Sequence, residues 1–134
     1  MDEKPSAAER EKLYTEYLKV EGFQPDPDED GVVCFYKGDH HLHLPIDQDP
    51  DFFILSLLDV IPEDEAIDPV RLARAANVVT ADSKVAKVCL SPAGEVVINV
   101  ELFCAPPEAF KAIFPRCLSE LVAAHDKFHK AYAG

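Results

Sequence analysis

The five histidines of this chain fall into two clusters, and each cluster has a spacing that can hold a metal ion. His40, His41 and His43 share one short segment, and His125 and His129 stand four residues apart. Alternation on a strand would put His41 and His43 on one face, and the spacing of four would put the other pair on one helix face. Paired imidazoles in either arrangement can bind zinc, provided that the strand packs beside the last turns of the helix. The alternative function, a metal-binding protein or metal-dependent hydrolase, would use four histidines: His41, His43, His125 and His129.

The second cluster lies in the sequence HDKFH, residues 125–129, which is similar to the H-E-x-x-H motif of zinc proteases. Asp126 stands where that motif has its general-base glutamate, and its shorter side chain does not reach as far. Too few residues follow His129 to supply the third metal ligand expected downstream of such a motif. His125 also continues an apolar helical stripe. A structural histidine at the edge of the core is therefore the favoured interpretation of His125, and the leading hypothesis assigns no metal ligand.

An aspartate-rich turn at residues 25–31 imitates the start of a calcium-binding loop, because Asp26, Asp28 and Asp30 alternate before Gly31. Such a loop needs a bidentate glutamate at its twelfth position, which here is Lys37. The sequence therefore predicts a solvated acidic turn.

Other catalytic patterns are missing from the sequence. The serines lack a G-x-S-x-G context, and no glycine-rich phosphate-binding motif is present. No C-x-x-C pair occurs among the cysteines, so reduced thiols that pack as small apolar groups are predicted at Cys34, Cys89, Cys104 and Cys117. The sequence thus predicts no catalytic residue, no cofactor and no enzymatic activity.

The 134-residue chain is acidic, with 25 Asp+Glu against 13 Lys+Arg and a formal net charge of -12. Such a balance repels nucleic acid and anionic membrane surfaces, which bind through clustered cations. The amino terminus lacks a secretory signal pattern, and the longest apolar run, residues 52–61, is too short to span a bilayer. A cytoplasmic protein is predicted.

The elements that must position these residues follow from hydrophobic periodicity. Helices are predicted at residues 6–20, 68–80 and 106–132, and strands at 32–36, 40–44, 52–61, 85–90 and 95–103. Acidic loops are expected at 25–31 and 62–68, and Pro115 is expected to kink the last helix or to split off a short first piece. The order α-β-β-β-α-β-β-α with hairpins predicts an α+β fold in one domain, residues 1–134, with a mainly antiparallel twisted sheet covered by helices.

Apolar residues on the predicted strands exceed what one sheet face needs. Phe52, Phe53 and Leu55 belong to a nearly continuous apolar run, and Val97 interrupts the polar side of its strand. Exposed apolar patches with an acidic rim are typical of protein contact sites. These four residues are the interface candidates, although burial by the helices of the same subunit explains them equally well.

Several segments together resemble the YbjN family, whose members carry the name bacterial sensory transduction regulators. The matching segments are 49–53 (DPDFF), 72–78 (LARAANV), 84–88 (KVAKV), 94–97 (GEVV) and 100–103 (VELF), followed by Phe110, Phe114 and Leu118. The family is similar in fold to the small chaperones of bacterial type III secretion, which are homodimers that hold an extended client segment. The resemblance implies a chaperone-like or regulatory role, a homodimer with a protein partner, and no catalytic residues to transfer. The leading hypothesis is a non-enzymatic protein-binding module.

Overall fold

A computed structural model of the chain describes residues 4–62 and 65–134. Its helices are α1 (Ala7–Val20), α2 (Pro69–Asp82) and α3 (Phe110–Ala133), and a short 3-10 helix (Pro107–Ala109) precedes α3. Its strands are β1 (Asp26–Pro27), β2 (Val33–Lys37), β3 (His40–Leu44), β4 (Phe52–Leu58), β5 (Ala86–Leu90) and β6 (Val96–Phe103). The predicted α+β class and the order of its main elements are confirmed. Glu63 and Asp64 of the second predicted acidic loop lie outside the described residues.

The strands form one antiparallel sheet in the order β1-β2-β3-β4-β6-β5. The outermost strand is β1, in which Asp26 pairs with Cys34 and Pro27 pairs with Val33. The prediction that residues 25–31 form only a turn is therefore wrong for these two residues. Proline is compatible with this position because an edge strand leaves one side of its backbone unpaired. The remainder is the predicted acidic turn, in which the Asp28 carboxylate accepts the backbone N–H of Asp30 and of Val32.

Strand alternation sends one set of side chains into the core. The buried apolar residues of the strands all belong to this set: Val33, Phe35, Leu42, Leu44, Phe53, Leu55, Leu57, Ala86, Val96, Ile98 and Val100. Aromatic residues of the helices contact the same set, with ring centroids 6.2 Å apart for Tyr14 and Phe53 and 6.0 Å apart for Phe114 and Phe35. The helices therefore cover one side of the sheet.

Polar caps define where the first two helices begin. The Ser6 hydroxyl accepts the backbone N–H of Glu9 at 3.1 Å while the Glu9 carboxylate accepts the N–H of Ser6 at 3.2 Å, which is the predicted capping box. Asp68 accepts the N–H of Val70 at 3.0 Å at the start of α2, as its position before Pro69 predicts.

α3 runs through Pro115 without a break, so the predicted split at this residue is not found. Proline has no N–H to donate to the carbonyl of Lys111, four residues earlier. The Tyr17 hydroxyl of α1 lies 3.5 Å from that carbonyl and donates to it. A hydrogen bond between two helices thus takes the place of the one that the proline removes.

Both edges of the sheet carry features that disfavour further strand pairing. On β5, the N–H of Val88 donates to the Thr80 hydroxyl at 3.1 Å, and the N–H of Ala86 donates to the Ser83 hydroxyl at 2.9 Å. The opposite edge, β1, is two residues long and contains Pro27. Short strands, prolines and covered donors are the means by which natural sheets avoid edge pairing.

Candidate functional site

The side of the sheet away from the helices, here called the open face, is the candidate site. Its side chains are those that alternate with the core set: Cys34, Tyr36, His41, His43, Phe52, Ile54, Ser56, Leu58, Lys87, Cys89, Val97, Asn99, Glu101 and Phe103. Most of them are half-buried by their neighbours on adjacent strands, and two aromatic rings project into solvent, with Phe103 74% and Tyr36 60% exposed.

Phe52, Ile54 and Phe103 form an apolar group at one end of the open face, here called the Phe patch. Phe52 and Phe103 are directly opposite each other on β4 and β6, and their ring centroids lie 5.4 Å apart. An aromatic pair that faces solvent is unusual on a surface that binds no partner. Aromatic residues are enriched at the centres of protein interfaces.

The four interface candidates divide between the two sides of the sheet. Phe53 is 2% exposed and Leu55 is fully buried, so the prediction that they belong to a contact surface is corrected: alternation in β4 turns both toward the helices. Phe52 and Val97 lie on the open face, and their contact with a partner stays a prediction. Sequence reasoning missed Phe103, although pairing β4 with β6 end to end would have placed it beside Phe52.

Charges on the open face nearly cancel. Lys87 and Glu101 form an ion pair with 2.6 Å between nitrogen and oxygen, and the Asn99 amide donates to the same carboxylate at 3.2 Å. Across β2 to β6 the open face is therefore almost neutral, with Asp26 of β1 at its edge, on a chain with a formal net charge of -12.

A thiol and two imidazoles meet on the β2–β3 hairpin. The ligating atoms of Cys34, His41 and His43 all lie within 4.8 Å of one another, and the two imidazole Nε2 atoms are 3.1 Å apart. Asp59 contacts the His41 Nδ1 atom through a carboxylate oxygen at 3.0 Å, and the Tyr36 ring stacks on His41 at a centroid distance of 4.8 Å. The His41 ring is thus held from two sides.

The ionisation of this cluster reflects its surroundings. Burial, followed by the neighbouring His41, lowers the pKa of His43. Burial, followed by the negative charges of Asp28 and Asp26, raises the pKa of the Cys34 thiol. A neutral imidazole and a protonated thiol are the favoured forms at neutral pH.

The four histidines of the metal alternative are not brought together. His41 and His43 point to the open face, while His125 contacts His40 of the same strand on the helix side, with ring centroids 4.8 Å apart. His129 lies next to His125 with a centroid distance of 4.5 Å. Because alternation puts His41 and His43 together on the open face, neither of them contacts the histidines of α3. His40, which points to the helix side, contacts His125 instead.

The pH dependence of stability offers a test of the His125 environment. Burial first, then His129 on α3 and His40 on β3, lower the pKa of His125, whereas Asp126 acts in the opposite direction. The unfolded chain, in which the pKa is about 6.5, therefore binds more protons, so stability is complete above about pH 6.5 and falls as the pH drops through the lowered pKa. We expect His125→Gln to reduce this loss, measured by urea unfolding at about pH 7.5 and about pH 5.

An exposed substitution on the same helix, Lys130→Gln, is the matched control and should leave the pH dependence unchanged. Equal losses of stability in wild type and His125→Gln would contradict the assignment of a half-buried neutral imidazole.

No described helix is both long enough and apolar enough to cross a membrane. No protein-family model matches the sequence. A search of curated proteins likewise finds no relative.

Solved structures do resemble the chain. A chain of the HopA1–SchA chaperone–effector complex superposes with a TM-score of 0.63 at 14% identity, covering 94% of this chain and 99% of that one. YbjN from E. coli gives a TM-score of 0.59 at 10% identity over 85% of this chain and 87% of its own. A chain of the ExsC–ExsE complex gives 0.55 at 16% identity, covering 92% and 93%. The chain therefore has a YbjN-like fold, which confirms the fold expected from the resemblance.

Proposed function

We propose that this chain, which shares its fold with YbjN and with chains of two solved protein complexes, is a non-enzymatic, chaperone-like protein-binding module. The observation that carries the proposal is the open face: a broad, nearly neutral surface with an aromatic pair, the half-buried Phe52 and the exposed Phe103, on a chain that is otherwise strongly acidic. One of the similar structures is itself a chaperone–effector complex, which supports the same kind of role.

Charge complementarity specifies the partner segment. Apolar side chains of the segment would cover the Phe patch, where removal of apolar surface from water drives association. Basic residues on either side of them would face the carboxylates around the open face, such as Asp28 and Asp59, whose contacts are screened by salt. The expected partner is thus a protein segment with an apolar centre and basic flanks.

The edges of the sheet influence how such a segment binds. Because Ser83 and Thr80 occupy the outward N–H groups of Ala86 and Val88 on β5, a partner that added a strand there would gain few backbone hydrogen bonds. It would lie across the side chains of the open face instead. Recognition then depends on side-chain pockets and shape rather than on backbone pairing.

A homodimer in the cytoplasm is part of this proposal. Self-association of a chain with a net charge of -12 needs a contact surface poor in carboxylates, because like charges repel each other across an interface. Light scattering after size-exclusion chromatography measures the mass in solution directly.

The function is tested with two synthetic peptides that share an apolar centre of leucine and phenylalanine. One peptide has lysines on both sides of this centre, and the other has glutamates there. We expect saturable binding of the lysine-flanked peptide, weakened by salt, and at least about tenfold weaker binding to the double variant Phe52→Ser/Phe103→Ser, measured by fluorescence anisotropy. Val20→Ser, a change at an 84% exposed position on α1, is the control and should bind like wild type.

Two outcomes contradict the proposal. Equal affinity of wild type and the double variant would place binding elsewhere on the protein. A homodimer that leaves the open face free is compatible with the proposal, whereas a dimer that dissociates in Phe52→Ser/Phe103→Ser would show that a second copy, and not a partner segment, covers the open face.

A further inference from the structure

We propose that Cys34, His41 and His43 form a binding site for a zinc-class divalent cation on the open face. This site is separate from the Phe patch and does not depend on the proposed function. It also differs from the four-histidine alternative, since a cysteine of β2 takes the place of the two histidines of α3.

The hairpin register brings the three residues together. Cys34 and His43 are direct partners on β2 and β3, and His41 lies two residues before His43, where alternation returns the chain to the same face. The turn at Gly38, which adopts φ 59°, sets this pairing. The three side chains therefore sit on backbone that is held by sheet hydrogen bonds, which favours a site of defined geometry.

Their separations suit tetrahedral coordination. Two nitrogen ligands at about 2.0–2.1 Å from a tetrahedral zinc lie about 3.3 Å apart. The His41 and His43 Nε2 atoms are already 3.1 Å apart, and the Cys34 Sγ lies within 4.8 Å of a ring nitrogen of each histidine. Within residues 4–62 and 65–134, this is the one group of three or more His, Cys, Asp or Glu residues that meets that distance.

Asp59 prepares His41 to act as a ligand. Its carboxylate accepts the His41 Nδ1–H at 3.0 Å, which fixes the tautomer whose Nε2 carries a free lone pair directed at His43. Asp59 adopts φ 53°, a left-handed conformation that costs energy for a residue other than glycine. A carboxylate behind a ligating imidazole is the usual outer-shell arrangement of zinc sites.

The neighbouring charges also favour a cation. Asp26 of β1 is the direct partner of Cys34 on β2, which places a carboxylate on the same face of the sheet as the three ligands. On binding, the Cys34 S–H bond would break and its proton would pass to solvent, the proton of His43 would move from Nε2 to Nδ1 through solvent, and the thiolate would ligate the ion together with two neutral imidazoles. Water would complete the tetrahedron.

The test uses reduced, untagged full-length protein with cobalt chloride as a spectroscopic probe and zinc chloride as a competitor. We expect one cobalt ion per chain, a thiolate-to-cobalt charge-transfer band, and loss of both signals when zinc is added. Asp59→Asn should weaken zinc binding by about 10- to 100-fold, and Cys34→Ser should abolish the charge-transfer band.

Two variants act as matched controls. Cys89→Ser removes another half-buried thiol of the open face, and His129→Gln removes an imidazole of the second histidine cluster. Both should bind cobalt like wild type, and circular dichroism confirms that every variant is folded. Absence of saturable binding, or binding that Cys34→Ser leaves unchanged, would overturn the site.

Discussion

Replacing Phe110 with alanine is expected to lower the free energy of unfolding by about 3–5 kcal/mol. Phe110 is fully buried where α1, β4 and α3 meet, and its ring lies 4.8 Å from Tyr14, 5.0 Å from Tyr17 and 5.9 Å from Phe53, measured between centroids. Alanine would leave a cavity that these three rings, together with Phe114 at 6.3 Å, cannot fill without leaving their own contacts. Since a domain of this kind is stable by about 5–15 kcal/mol, the loss is a large share of the total.

Urea unfolding followed by circular dichroism measures this change. Phe103→Ala is the matched control, because Phe103 carries the same side chain on the open face and is 74% exposed. It should cost less than about 1 kcal/mol, the scale of a cross-strand aromatic pair. Equal costs at the two positions would mean that the packing around Phe110 is not the source of the stability.

Replacing Arg10 with methionine is expected to cost about 1.5–3 kcal/mol, the value of a hydrogen bond to a charged group. Arg10 is 3% exposed, and its guanidinium donates to the carbonyl of Asp47 at 2.6 Å and to that of Asp49 at 3.5 Å. These contacts hold the loop that leads into β4. Methionine keeps most of the apolar stem but leaves both carbonyls without their donor.

Two further substitutions separate the causes. Arg10→Lys keeps the charge but replaces the planar fork by a single ammonium, so part of the loss should remain. Lys12→Met, on the exposed side of α1, should change stability by no more than about 0.5 kcal/mol. A stable Arg10→Met protein would indicate that water satisfies the two carbonyls.

The secondary structure of this chain is largely readable from its sequence because the signals are local. Ser6 with Glu9 and Asp68 with Pro69 mark helix starts, and the alternation in residues 95–103 marks a strand. β1 was not predicted, because two residues with a proline carry no periodicity and pair only through the neighbouring strand.

The candidate site was harder to predict because it depends on which face each strand buries. The run of residues 52–55 is apolar on both sides, so it does not reveal that Phe53 is buried while Phe52 faces outward. The Cys34–His43 pairing is predictable from the sequence, because counting residues outward from the hairpin turn gives it directly. Because the sequence predicts cysteines that pack as small apolar groups, Cys34 is not among the predicted ligands.

The hydroxyls of Thr80 and Ser83 have a consequence for behaviour in concentrated solution. A protein with exposed aromatic side chains would form fibrils if its edge strand paired with the edge strand of a neighbouring molecule. Because the N–H groups of Ala86 and Val88 are already hydrogen-bonded within the chain, they are not available to such a neighbour, which works against fibril growth through β5.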